Sequence, residues 1–166
     1  INTLLAAACG GLSAIAYSYA RSGQLAVLDL FNGIIGGLVG ITASCHLQAP
    51  PLAALIGAVA GLIVALGSAG LERLRIDDAV GAIPAPLFAG IWGTLAVALF
   101  APETAFILTG GRAQQLWVQT LGILSIGAYA FLVSFAALWL INRLYRLRVD
   151  PESERLGLNI AEHAAS

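Results

Sequence analysis

Five apolar runs, each about 20 residues long, leave this chain few ways to fold. They cover Ile1 to about Ala20, about Leu25 to Cys45, about Pro51 to Leu71, about Ala79 to Phe100, and about Leu116 to Ile141. A run of that length crosses the hydrocarbon core of a bilayer as a helix, because in lipid every backbone N–H and C=O must find its partner within protein. A membrane β-barrel would alternate polar and apolar residues over about ten positions, and these runs do not alternate. Composition agrees: 10% of residues are charged and 59% hydrophobic, against about 25% charged in a soluble domain. The predicted fold class is all-α, a polytopic transmembrane helix bundle of five spans over residues 1–148, with a short tail over 149–166.

Arginine placement orients the bundle. All eight basic residues are arginine. Arg21 lies between the first and second runs, Arg73 and Arg75 between the third and fourth, and Arg143, Arg146, Arg148 and Arg155 after the fifth. Arg112 alone falls on the other side. The positive-inside rule puts the seven-arginine side, and with it the tail, in the cytoplasm of a plasma or inner membrane. Trp117, Trp139 and Tyr145 read as interfacial anchors of the fifth span. Overlapping small-residue pairs, Gly33 with Gly37, Gly36 with Gly40 and Gly57 with Gly61, predict close helix contacts.

Several function classes have no residue to rest on. A net charge of −1 argues against nucleic-acid binding. No phosphate loop, nucleophile–base pair or paired catalytic carboxylates stand out, so no enzyme is expected. Cys9 and Cys45 read as small hydrophobes, and neither His46 nor His163 has metal-ligand spacing, so neither metal nor cofactor is expected. The chain holds no methionine, so Ile1 is not an initiator and the sequence reads as a piece of a longer protein.

Five separate stretches then point to one family. Ile1–Ala8 reads "INTLLAAA", 32–42 reads "NGIIGGLVGIT", and 51–61 reads "PLAALIGAVAG". Asp77-Asp78-Ala79-Val80-Gly81-Ala82 is followed by Gly90-Ile91-Trp92-Gly93-Thr94-Leu95, and the tail holds Gly157-Leu158-Asn159 and Glu162-His163. In this order and spacing they resemble the seventh to tenth helices and the tail of the ammonium transporter (Amt/Mep/Rh) family. The resemblance implies the second half of an eleven-helix, inverted-repeat membrane protein, helices seven to eleven. It implies a homotrimer with a pore in each subunit, passage of ammonium or ammonia, and a P-II-type signal protein as a possible partner at the cytoplasmic face.

The same resemblance implies that Val80, Ala82, Ile83 and Pro86 line the inner half of the pore. The family places a pore histidine where this chain has Pro86. Imidazole accepts and relays a proton near neutral pH, and proline has no titratable group and no backbone donor. Two functions therefore stay open: transport by a modified route, or a transport-inactive ammonium sensor or regulatory module. Asp77 and Asp78 are expected to cap a helix start and to offer a docking point for the tail through Arg148 or Arg155. Asp29 and Asn32 sit near the same edge, whereas His46 lies at the opposite edge, where a loop role is expected.

Overall fold

The computed structural model describes residues 1–106 and 110–145. The tail expected over 149–166, with Arg155 and His163, lies outside the described residues, and so does Arg148. The chain divides into two compact units, Ile1–Ile123 and Leu124–Ser166, and no strand occurs among the described residues. The helices are α1 (Asn2–Ser22), α2 (Val27–Thr42), α3 (Pro50–Arg73), α4 (Ala89–Phe100) and α5 (Gly111–Leu144). A π-helical turn, Ile83–Phe88, runs directly into α4.

Local chemistry sets the helix ends. Gly23, at φ 69°, closes α1 in the left-handed region, and its N–H donates to the Tyr19 carbonyl at 2.8 Å. Pro50 and Pro51 open α3, where a proline's missing N–H has no intrahelical partner to lose. The end of α3 is a Schellman motif: Arg75 N–H donates to Glu72 O and Ile76 N–H to Leu71 O, both at 3.0 Å. Its left-handed position is filled by Arg75 at φ 57°, where glycine is usual.

Among the described residues, four segments are long and apolar enough to cross a membrane: Asn2–Ser22, Pro50–Arg73, Ile83–Phe100 and Gly111–Leu144. The second apolar run yields a shorter helix than its hydropathy suggests. α2 has 16 residues, about 24 Å at 1.5 Å per residue, and stops at Thr42 rather than Cys45. There the Ser44 carbonyl accepts the amides of Leu47 and Gln48 at 2.9 and 3.2 Å, which turns the chain ahead of Pro50.

The first unit is built on backbone contact. α1 packs against both α2 and α3. Ala6 and Gly10 of α1 meet Gly37 and Gly33 of α2, so that pair is antiparallel. The same two residues meet Gly57 and Gly61 of α3, so that pair is parallel. Side-chain bonds lock the register. Asn2 Nδ2 donates to the Cys45 and Gln48 carbonyls at 2.8 and 2.7 Å. Ser13 Oγ donates to Ala58 O at 2.7 Å, and Trp92 Nε1 donates from α4 to Ile56 O at 3.0 Å. Arg112, the arginine on the far side, closes the end of α4 by donating to Ala98 O and Leu99 O at 3.1 and 2.8 Å, and it pairs with Glu103 at 3.3 Å.

In the second unit the described residues continue α5, none of whose residues is buried. Its aromatic side chains Phe131 and Phe135 stack with centroids 6.0 Å apart, and Arg143 lies over the Trp139 ring at 5.5 Å.

A Cβ on Gly61 would run into the Gly10 carbonyl and Ser13 Oγ, whereas one on Gly70 of the same helix would meet nothing within 4 Å. Gly61→Ala is therefore expected to cost about 1–3 kcal/mol through overpacking. Gly70→Ala should be neutral or stabilising through helix propensity. Thermal unfolding of the protein in detergent reads both, and equal melting temperatures for the two variants would contradict the backbone seam.

Candidate functional site

Two prolines two residues apart decide the geometry of the Ala79–Phe88 stretch. In an α-helix Pro86 could not serve the Ala82 carbonyl, and its ring would crowd that carbonyl. The segment Ile83–Phe88 adopts the i→i+5 register instead, which passes each carbonyl to a donor one residue further on. The Ala89 N–H then reaches both Pro84 O and Pro86 O, closing the turn onto α4.

Asp78 fastens the start of this turn. Its Oδ1 accepts the Ala82 amide at 2.8 Å and its Oδ2 the Ile83 amide at 2.7 Å. Both bonds go to Asp78, and Asp77 takes no part in them. The Ile83 amide, followed by weaker help from those of Ala82, Gly81 and Val80, holds the Asp78 carboxyl below its usual range against a smaller opposing effect of desolvation. Between cap and turn, Gly81 takes φ 74°, and a Cβ there would run into the Asn32 amide. Only glycine fits both demands.

The turn has two faces. Pro84 and Ala85 are buried. Ala85 joins Ala60, Val64 and Ala89 in one apolar cluster, and Pro84 and the Phe88 ring sit over Gly67 of α3. Val80, Ala82 and Pro86 are exposed on the chain, and Ile83 is half-buried. Of the four residues the resemblance put along a pore, three are thus exposed on this chain and Ile83 is half-buried.

The remaining candidates lie elsewhere. Asp29 occupies the first turn of α2, half-buried. Asn32, one turn on, is buried at 6% exposure under Gly81. His46 is exposed beyond the far end of α2, in a shallow hollow with Asn2, Thr3 and Cys45. Cys9 and Cys45 are free thiols, and among the described residues no group of three or more His, Cys, Asp or Glu could hold a metal ion. Sequence reasoning missed three features here. The π register could have been suspected from the Pro-x-Pro spacing, whereas the Trp92 bond to α3 and the Arg112 clamp on α4 had no local signal.

The lowered Asp78 pKa fixes a sign. An Asp is near 3.9 when unfolded, and its native carboxylate is the preferred form. The stabilisation is present above about pH 4 and is lost as pH falls through the lower folded value. Asp78→Asn should lower the melting temperature by a few degrees at pH 7 and flatten the loss of stability on acidification. Melting curves from pH 7 to 3 that fall in parallel for the two proteins would contradict this role.

Comparison with known proteins supplies what geometry alone does not. The family model described as "Ammonium Transporter Family" matches residues 1–166. The chain is 40% identical over 174 residues to ammonium transporter Amt2 of Archaeoglobus fulgidus, covering 99% of this chain and 37% of that protein. It is 41% identical over 165 residues to a putative ammonium transporter of Synechocystis, covering 98% of this chain and 36% of the relative. Among solved structures, one titled "Sensor Amt Protein" superposes with TM-score 0.87 at 37% identity, over 97% of this chain and 40% of its own. Mep2 of Candida albicans superposes with TM-score 0.79 at 27% identity, over 92% of this chain and 36% of its own. The chain therefore spans 36–40% of the length of these relatives. Helices built to cross a bilayer, the capped proline turn and a family match along the whole chain lead to one conclusion: this chain belongs to the ammonium transporter family.

Proposed function

We propose that the longer protein carrying this chain passes ammonium or ammonia across a membrane. Its pore on this side would be lined by Val80, Ala82, Ile83 and Pro86. The observation that carries the reading is the two-faced proline turn, which buries Pro84 and Ala85 while Val80, Ala82 and Pro86 stay uncovered. An uncovered apolar face on a membrane helix bundle is what a second half would complete into a lumen. Such a lumen strips water from its cargo, and neutral walls suit that task because charge is costly at this depth. Pro86 can neither bind nor relay a proton, so this turn would serve as wall and any proton relay would fall to residues outside it.

The rest of the assembly follows the family. We place the arginine-rich end and the tail in the cytoplasm of a plasma or inner membrane, with three copies forming a homotrimer. Asp77, free of the cap, and Asp78 would offer the tail a docking point, and a P-II-type signal protein would meet the same face. The sensing alternative is less favoured, since the relatives matched along the chain are named as transporters and the sensor title belongs to one structural neighbour.

The test is ammonium-evoked charge movement in proteoliposomes holding the full-length protein, beside its Pro86→His variant. A saturable current in the wild type is expected. A silent wild type with a current in Pro86→His would overturn transport and leave the sensing reading in front.

A further inference from the structure

The arginine-rich end of the first unit also contains a cavity of about 230 Å³ between α2, α3 and the Ile76–Pro84 connection. Its polar lining is Asp29, Asn32, Ser68, Glu72, Asp77 and Asp78. Two of the four carboxylates are already engaged. Glu72 pairs with Arg21 at 3.4 Å, and Asp78 accepts the amides of Ala82 and Ile83. Asp29 and Asp77 make no hydrogen bond or ion pair among the described residues.

Asn32 makes this more than an acidic patch. It is only 6% exposed, it lines the cavity, and its side chain makes no hydrogen bond to another described residue, so its amide meets the cavity and not a protein partner. An amide so placed is satisfied by whatever occupies the cavity, whether water, an ion or a ligand. Gly81 takes a left-handed φ and leaves out a Cβ at the spot the Asn32 amide fills, so the fold makes room for this side chain.

We propose that this cavity binds a small monovalent cation, and that ammonium is the ion it takes. The sign follows from the lining: two uncommitted carboxylates and no basic side chain among the lining residues, with Arg21 of the adjoining hollow already paired with Glu72. Single charge follows from the donor set, because no group of three or more acidic, His or Cys side chains among the described residues is arranged to hold a metal ion. Hard divalent cations need six or more oxygens or a near-octahedral shell. Ammonium needs only a few acceptors around four N–H bonds, which the Asn32 carbonyl, the Ser68 hydroxyl and the Asp29 and Asp77 carboxylates provide. The volume leaves space for several waters beside the ion, at about 30 Å³ each. The identity of the ion rests on the transport reading.

The test uses the full-length protein in nanodiscs, titrated with 15N-ammonium chloride and read by ammonium line width, with potassium chloride as competitor. Asp29→Asn and Asn32→Leu are each expected to weaken the apparent dissociation constant at least about threefold. Asn32→Asp, which keeps shape and adds charge, should tighten it by a similar factor and guards against a folding failure in Asn32→Leu. Dissociation constants unchanged in Asp29→Asn and Asn32→Asp would overturn the site. Displacement by potassium at equal concentration supports the monovalent-cation class, with ammonium selectivity then lying elsewhere in the protein. Binding that responds to these variants in a protein carrying no ammonium current would sink the transport reading and keep the site. Current with unresponsive binding would do the reverse.

Discussion

The contact of three helix backbones at Ala6, Gly10, Gly33, Gly37, Gly57 and Gly61 is the interaction on which the other features depend. Lipid tails are as apolar as leucine, so no hydrophobic effect draws helices together inside a bilayer, and association rests on dispersion at short range and on hydrogen bonds. Removing each Cβ along the seam lets main chain meet main chain. It also brings Ser13 close enough to donate to a carbonyl of α3. The seam fixes the antiparallel α1–α2 and parallel α1–α3 pairs. That places Asn32 of α2 and Gly67 of α3 where the proline turn must land. Trp92 adds the last fixed point by reaching the Ile56 carbonyl, while its ring meets Phe100 edge-on at 6.2 Å.

Upon that platform the turn solves a problem of backbone satisfaction. Pro84 and Pro86 remove two donors from a segment at the entry to a membrane helix, where an unpaired carbonyl has no water to fall back on. Lengthening the register to i→i+5 restores partners further along. Asp78 supplies the missing acceptors for the first free amides. The result is an apolar corner that buries Pro84 and Ala85 and leaves Pro86 exposed. The position that the family resemblance gives to a histidine is held here by a proline inside the turn.

How much of this was legible in the sequence depends on the range of the interaction. The apolar runs marked the spans because hydropathy over about 20 residues is a local sum. Asp78 could be read as a cap because capping is local too, though which of the two aspartates would do it was not decided by the pattern. α2 stopped three residues short of its apolar run because a turn centred on Ser44 competes with helix, and hydropathy cannot see that competition. Arg112 looked like an orientation signal and proves to be occupied by the last carbonyls of α4, 13 and 14 residues earlier in the chain. Arg75 in the left-handed region had no signal, since glycine marks that position and arginine does not. Asn32 packs against Gly81 and lines a cavity, contacts between α2 and the connection ahead of the turn that no local pattern marks.

The central claim is that the proline turn has a closed face at Ala85 and an open, pore-side face at Pro86. Single cysteines placed at these two positions in the full-length protein, with Cys9 and Cys45 changed to alanine, test it most directly. A small methanethiosulfonate reagent should modify Pro86→Cys readily and block ammonium passage, while Ala85→Cys stays unmodified in the folded protein. Fast modification at position 85 with position 86 protected would mean that the turn presents the opposite face, and the account given for this corner would be wrong.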